Sequence, residues 1–214
     1  LFQRFTNIYY DDLEEESLRI MCTTLLDGIL QRFHPDCQLC CDVMARSILF
    51  IHLQYRAKYS TFLCPPQQVI NLRTLKFLFS ALAQAPPELY TSKPLLMSLL
   101  VFEVRRIYED RLTNDKDVLT FQEILKLGMR KCIDEFDFSE DPTVMSTVHP
   151  ADPSTGIISP KPAWASLTAF FQEKLQAHKL NSPSNAQLKN IVIFDKTIEQ
   201  LVRIIRVLKS SDHF

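Results

Sequence analysis

Four side chains that commonly bind metal ions lie close together in the chain: His34, Cys37, Cys40 and Cys41. A structural zinc site takes four ligands, usually from two such clusters, and the sequence offers no second cluster. Cysteine is also among the most frequently buried residue types, so core cysteines on a helix give the same pattern. We therefore predict buried cysteines here and no metal.

A cysteine or serine hydrolase would need a nucleophile, a base and an orienting group. His52 and Cys64 are the pair that such a reading would have to bring together, and a histidine packed between helices is the alternative that we favour. The acidic run from Asp134 to Asp141 resembles a solvated face or linker, because no phosphate-binding element accompanies it. We predict that this chain contains no catalytic residue.

Arg73 is the most informative single charge. It follows a proline break and lies at the start of a predicted helix, where a planar and permanently charged group points away from its own bundle. Such a position suits an arginine that reads a phosphate on a neighbouring domain. A solvated surface arginine is the simpler interpretation, and on the residues alone it is the commoner one.

The composition restricts the remaining classes of function. With 214 residues, 46% of them hydrophobic and 23% charged, the chain can form a sizeable core. A net charge of −1 gives no strong attraction to nucleic acid or to an anionic membrane. Only three glycines occur, too few for a phosphate-cradling loop. No transmembrane run or secretory signal is present, and the scattered cysteines fit a reducing compartment.

The most strongly patterned stretch is Leu95–Asp117, which predicts a central helix from about Pro94 to near Leu112. One stripe at helical spacing is apolar: Leu96, Leu100, Val104, Ile107 and Tyr108. Opposite charges four residues apart, Arg105 with Glu109 and Arg106 with Asp110, are expected to face away from the core.

Apolar spacing predicts six further helices between proline-rich or polar breaks. They are Ser17–Phe33, Cys37–Tyr59, Leu72–Ala85, Asp117–Cys132, Trp164–Lys179 and Thr197–Lys209. Their predicted inward residues include Leu25, Leu119, Leu127 and Leu208. Asn71 is the expected cap of the third of these helices. Leu1–Tyr10 is aromatic and strand-like, and Pro142–Pro162 has the composition of a loop or linker.

Four stretches, taken in order, carry a resemblance to a known family. They are RFTNIYYDDLEEESLRIM (4–21), INLRTLKFL (70–78), LLVFEVRRIYEDRLTNDKD (99–117) and NIVIFDKTIEQLVRIIRVL (190–208). Together they resemble the dynein heavy chain at the join between the third and fourth AAA+ modules of its motor ring. The second is similar to the family's N-L-R-D lid motif, the third to H-E-x-x-R-x-F-x-D-R-L, and the fourth to a short strand followed by an R-I-x-R helix.

This resemblance implies a mainly α fold: a helical AAA+ lid bundle, a linker and the start of a following α/β AAA+ module. The implied boundaries are 1–10 for the end of the preceding large subdomain, 11–135 for the lid, 136–163 for the linker, and 164–214 for a helix, a short strand and a helix. Thr74, Phe77 and Phe102 stand where the family usually has an acid, an arginine and a histidine. These departures imply a divergent heavy chain of the dynein-heavy-chain-domain-containing type.

The resemblance also implies a function. Arg73 and Arg4 match nucleotide-sensing arginines, and Val192 and Phe194 match positions that pack on the adenine side of the next module. The segment itself would bind no cofactor and catalyse nothing. It would couple nucleotide state between adjacent AAA+ modules of an ATP-driven, minus-end-directed microtubule motor, with ATP or ADP bound elsewhere in the parent protein.

The implied partners are the adjacent AAA+ modules, dynein intermediate and light intermediate chains, and microtubules, with no nucleic acid and no membrane. The implied location is the cytoplasm and cytoskeleton, or a cilium or flagellum. A free-standing helical scaffold for protein–protein binding is the alternative function.

Overall fold

Helices make up nearly all of the regular structure in the computed structural model, which describes residues 13–59, 65–130, 145–146, 159–160, 164–181 and 191–209. Within these ranges the helices are α1 Glu15–Leu30, α2 Pro35–Gln38, α3 Cys41–Tyr59, α4 Leu72–Ala83, α5 Lys93–Tyr108, α6 Asp115–Arg130, α7 Trp164–Asn181 and α8 Asp195–Lys209. Single 3₁₀ turns lie at Pro66–Gln68, Pro87–Leu89 and Glu109–Arg111. The mainly α prediction is confirmed.

The start of α4 shows how local sequence fixes a helix boundary. The Asn71 side chain accepts a hydrogen bond from the backbone N–H of Arg73 at 3.0 Å. In return, the hydroxyl of Thr74 accepts the backbone N–H of Asn71 at 3.3 Å. This reciprocal capping box satisfies donors that the first turn leaves free. The predicted cap is confirmed. Thr74, which stands where the dynein heavy chains that the sequence resembles usually have an acid, has a structural role in this capping box.

A continuous apolar core runs through α1 to α6, with α5 at its centre. Helix α1 packs on α3 and α4, α3 packs on α6, and α5 packs on α4 and α2. Eleven α5 residues are buried: Leu96, Met97, Leu99, Leu100, Val101, Phe102, Glu103, Val104, Arg105, Ile107 and Tyr108. The predicted central helix is therefore confirmed. Its buried surface is much wider than the single apolar stripe that was predicted to face the core.

The prediction that the α5 charges face away from the core is wrong. Arg105 and Glu109 do form an ion pair, but their side chains are only 11% and 7% exposed. Arg106 pairs with Glu103, three residues before it, and not with Asp110. The physical reason is that later parts of the chain cover this side of α5, and a periodic pattern within α5 carries no information about them.

A second, smaller apolar cluster joins α7 to α8. Its buried members are Leu167, Phe171, Ile198 and Val202. Between the two clusters in sequence, strand β1 (Met145–Ser146) pairs antiparallel with β2 (Ser159–Pro160) and contacts both α5 and α8. The predicted linker at 136–163 thus contains a short paired element.

Other boundaries also differ from the predictions. The predicted helix from Cys37 to Tyr59 is two helices, α2 and α3, separated by a turn at 39–40. The segment 191–194, predicted as a short strand, has neither helix nor strand structure, and no described strand is hydrogen-bonded to it. Without a neighbouring strand the segment forms no ladder of hydrogen bonds, which is why an apolar run alone does not make a strand.

Four leucines predicted to face inward are exposed: Leu25 (45%), Leu119 (63%), Leu127 (50%) and Leu208 (73%). Leu25 lies at the edge of the buried stripe of α1, whereas Leu119 and Leu127 lie on the side of α6 opposite its buried residues. The predicted strand at 1–10, Arg4 within it, and the acidic run at 134–141 lie outside the described residues. Among the described helices, none combines the length and apolarity that crossing a bilayer requires.

Candidate functional site

Arg206 of α8 lies in a polar socket formed by α5 and the C-terminal end of α4. The Arg206 side chain is 2% exposed, and its Nε donates to Glu103 Oε1 at 2.8 Å. Its Nη1 donates to Gln84 Oε1 at 3.2 Å, and its Nη2 donates to the backbone carbonyl of Ala81 at 3.2 Å. One guanidinium therefore joins three helices, and it uses three of its donors to do so.

Glu103 is the centre of this socket. It is fully buried, and its second carboxylate oxygen accepts from Arg106 Nε at 2.7 Å. A buried carboxylate is tolerated only when its charge is compensated and its lone pairs are hydrogen-bonded. Arg106 and Arg206 provide both, one guanidinium on each oxygen.

A second group of charges lies one turn further along the same contact. Arg203 of α8 pairs with Asp110 after α5, donates to Glu199 Oε1 at 2.8 Å, and approaches Glu109 Oε1 at 4.0 Å. Glu109 is itself held by Arg105 through two hydrogen bonds of 2.9 and 2.7 Å. This bidentate geometry is the strongest form of an arginine–carboxylate contact.

We call this set of residues the α5–α8 seam. It contains four arginines and four carboxylates, so its formal charges cancel: Arg105, Arg106, Arg203, Arg206, Glu103, Glu109, Asp110 and Glu199. Burial raises the pKa of Asp110, and the neighbouring Arg203 opposes that rise. Burial also raises the pKa of Tyr90, and the charge of Glu103 adds to the effect. The seam is therefore buried around Glu103 and Arg206, whereas the side chains of Asp110 and Glu199 at its other end are about one third exposed.

His52 is packed between helices, as the alternative to a hydrolase predicted. Its Nδ1 lies 2.9 Å from the hydroxyl of Tyr108, which joins α3 to α5. Burial, and secondarily the charge of Arg56, lowers the pKa of His52 to about 4. Cys64, the nucleophile that a hydrolase would require, lies outside the described residues.

The cysteine cluster is part of the core. Cys37 is fully buried and Cys40 is 3% exposed, as predicted for core cysteines. The thiols of Cys37, Cys40 and Cys41 donate to the backbone carbonyls of three different residues, Tyr90, Asp36 and Thr23. In the described part of the chain, no three His, Cys, Asp or Glu side chains are grouped as metal ligands would be.

The predicted nucleotide-contacting residues lie on the surface. Arg73 is exposed in the first turn of α4, and its guanidinium makes no ion pair with another described residue. Val192 is 74% exposed and Phe194 is 59% exposed, both just before α8. All three are accessible to a neighbouring domain, and their roles stay predictions.

Sequence reasoning missed Arg203 and Arg206 as members of a site, although it singled out the R-I-x-R pattern that contains them. A signal was present. Ile198, Val202 and Arg206 follow each other at four-residue spacing, so Arg206 continues the buried stripe of α8. An arginine in register with an apolar stripe indicates a buried carboxylate partner, but not which carboxylate.

The sequence of this chain is similar to one protein family and to several known proteins. Residues 48–145, from the middle of α3 to β1, match the AAA+ lid domain family. A ciliary dynein beta chain from Tripneustes gratilla is 29% identical over 146 residues, which cover 66% of this chain and 3% of the relative. Human dynein axonemal heavy chain 6 is 26% identical over 207 residues, 92% of this chain and 5% of the relative.

Human dynein axonemal heavy chain 10 is 24% identical over 201 residues, which cover 91% of this chain and 4% of the relative. The chain therefore spans only a few hundredths of the length of these curated relatives. Both human matches cover nine-tenths or more of the chain, well beyond the lid match at 48–145. The lid match and the relatives agree with the helical fold and with the sequence motifs whose charges meet in the α5–α8 seam: residues 48–145 match the AAA+ lid domain family, and the chain is similar to dynein heavy chains.

Proposed function

We propose that this segment is a non-catalytic lid that couples the nucleotide states of adjacent AAA+ modules in an ATP-driven, minus-end-directed microtubule motor. By the resemblance of its motifs, the lid belongs to the third module and α8 leads into the fourth. The observation that carries the proposal is the buried contact between Arg206 of α8 and Glu103 of α5.

A buried ion pair is suited to transmitting motion. Moving α8 away from α5 without rearranging the socket would leave Glu103 and Arg206 short of a partner, at a cost of about 3–5 kcal/mol. Exposed pairs are worth far less and exchange partners with water. A rotation of the lid therefore carries α8 with it as a rigid body, which is how a small change at one site becomes a domain movement.

Arg73 is the proposed sensor at the other end of the lid. It is exposed in the first turn of α4, and the capping box fixes the backbone from which it projects. An arginine so placed can reach a phosphate held by a neighbouring domain and respond when that charge changes. Arg4 is proposed as a second sensor, and Val192 and Phe194 as the adenine-side contacts of the following module.

The proposed ligand of the intact motor is ATP or ADP, bound outside this segment. Its proposed partners are the neighbouring AAA+ modules, dynein intermediate and light intermediate chains, and microtubules. The ciliary and axonemal names of the relatives support a location on the cytoskeleton, including cilia.

The coupling is tested in the intact motor with Arg206→Met. We expect ATP binding to persist while microtubule stimulation of ATP turnover falls several-fold, because α8 no longer follows the lid. Arg46→Met is the matched control, since Arg46 pairs with Asp42 on the exposed side of α3 and should leave turnover unchanged. Full microtubule stimulation in a folded Arg206→Met motor would refute the coupling.

The non-catalytic part of the proposal is tested with the 214-residue segment alone. We expect no ATP hydrolysis above the buffer rate. Steady-state phosphate release measured for the purified segment decides it, and turnover that co-purifies with the monomer peak would be the contrary result.

A further inference from the structure

The backbone just before α4 holds the proposed sensor in place. Residues 65–70 form a 3₁₀ turn at Pro66–Gln68 and an extended piece that leads to Asn71 and Arg73. Gln68 is 7% exposed and Ile70 is 4% exposed, so this stretch is anchored by its side chains. Whatever shifts residues 65–70 also shifts the start of α4 and the arginine that projects from it.

Arg111 ties this stretch to the end of α5. Its Nε donates to the carbonyl of Ile107 at 2.8 Å. Its Nη1 lies 3.4 Å from the carbonyls of both Gln67 and Val69. A single guanidinium thus spans from the last turn of α5 to the segment that precedes Asn71.

The residue before it belongs to the α5–α8 seam. Asp110 pairs with Arg203 of α8, and Arg111 follows in the same 3₁₀ turn. Two adjacent residues of one short turn therefore face opposite neighbours: Asp110 holds α8, and Arg111 holds the backbone that leads to Arg73. The turn at Glu109–Arg111 is the shortest covalent connection between these two contacts.

We propose that Arg111 is a positioning residue that links the docking of α8 to the orientation of Arg73, through the backbone of residues 65–70. This inference rests on the proposed function for the role of Arg73 as a nucleotide sensor. The contact requires an arginine, because only the planar guanidinium reaches carbonyls on both sides of the turn at once. A lysine keeps the charge but provides one compact ammonium group in place of the fork.

The first test is hydrogen exchange of the amides of Gln68, Val69, Arg73 and Thr74, which are hydrogen-bonded within this stretch. We expect Arg111→Lys and Arg111→Gln to speed their exchange by about tenfold, the ratio that the loss of one or two hydrogen bonds gives. Arg130→Gln, at the exposed end of α6, is the control and should change nothing. Wild-type exchange in Arg111→Lys would overturn the inference.

The second test measures the affinity of the intact motor for a fluorescent ATP analogue. Arg111→Lys should weaken binding in the same direction as Arg73→Ala, and the double variant should bind no more weakly than Arg73→Ala alone. If Arg73→Ala has no effect, the proposed function fails and the exchange experiment still decides the role of Arg111. If Arg73→Ala weakens binding and Arg111→Lys changes neither affinity nor exchange, the inference fails and the proposed function stands.

Discussion

At the residue scale, the seam depends on how charge is shared around Glu103. Glu103→Gln leaves Arg106 and Arg206 facing a neutral amide in a buried site. We expect the free energy of unfolding to fall by about 3 kcal/mol or more. Arg206→Met should cost less, about 2 kcal/mol, because Glu103 keeps Arg106 as its partner.

Urea unfolding of the wild type, Glu103→Gln and Arg206→Met measures whether the stability losses follow this order. Arg46→Met again serves as the control, since its pair with Asp42 is half exposed on both sides. Equal losses for Glu103→Gln and Arg206→Met would show that Arg106 does not compensate Glu103.

The buried histidine makes a prediction about pH. Burial lowers the pKa of His52 to about 4, against 6.5 for the free side chain. The unfolded chain therefore binds a proton between these values that the folded chain excludes, and stability falls as the pH drops through this window. We expect the part of this loss that belongs to His52 to be roughly 2–3 kcal/mol between neutral pH and about pH 4.

His52→Asn isolates that contribution, because asparagine can retain the contact with the Tyr108 hydroxyl and does not titrate. The unfolding free energies of wild type and variant, measured across the window, should converge as the pH falls. Parallel curves would mean that His52 is not kept neutral by burial.

At the element scale, α3 and α6 pack closely where Gly128 of α6 faces α3. A methyl group added at Gly128 of α6 would lie 2.8 Å from Cγ1 of Ile51, which is fully buried on α3. Gly28 of α1 has nothing within 4 Å of the same position. Alanine normally stabilises a helix relative to glycine by up to about 1 kcal/mol, so the two sites should respond with opposite signs.

We expect Gly28→Ala to raise the thermal unfolding midpoint and Gly128→Ala to lower it, the latter by an overpacking cost of about 1–3 kcal/mol. Calorimetry of both variants gives the comparison. A stabilising Gly128→Ala would show that α3 and α6 can separate without loss.

The same scale shows what the sequence can predict and where it stops. Helix α4 was predictable because two local signals agree: Asn71 is a good cap, and Leu75 and Leu78 repeat at helical spacing. The structure has the cap in place and both leucines buried. The surroundings of α5 were not predictable. Its residue Glu103 meets Arg206 across 103 positions of sequence, and such pairings depend on the path of the chain. Local periodicity gave the helices, and only the fold brought the charges together.

At the scale of the whole molecule, the described residues contain two apolar clusters of unequal size. The larger extends from α1 to α6, and the smaller joins α7 to α8 through four buried residues. Helix α8 belongs to the smaller cluster by its apolar face and reaches the larger one through Arg203 and Arg206. Apolar burial of this small extent gives little stability on its own, so we expect α7 and α8 to depend on the larger core, which contains no residue of either helix.

The difference in size between the two clusters predicts different effects of shortening a core side chain. A truncation in the smaller cluster should affect α7 and α8 alone, whereas one in the larger core should affect all the helices. Val202→Ala, in the smaller cluster, should speed amide exchange in α7 and α8 and leave α3 and α6 protected, because the opening is local. Leu78→Ala, in the larger core, should cost about 2–5 kcal/mol and reduce protection everywhere, since α8 has nothing to dock on once the lid opens. Exchange measured for both variants at increasing urea separates the two openings. If Val202→Ala reduced protection in α3 and α6 as much as in α8, the two clusters would unfold as one unit, and the seam would be part of a single core and not the proposed contact between the lid and the next module.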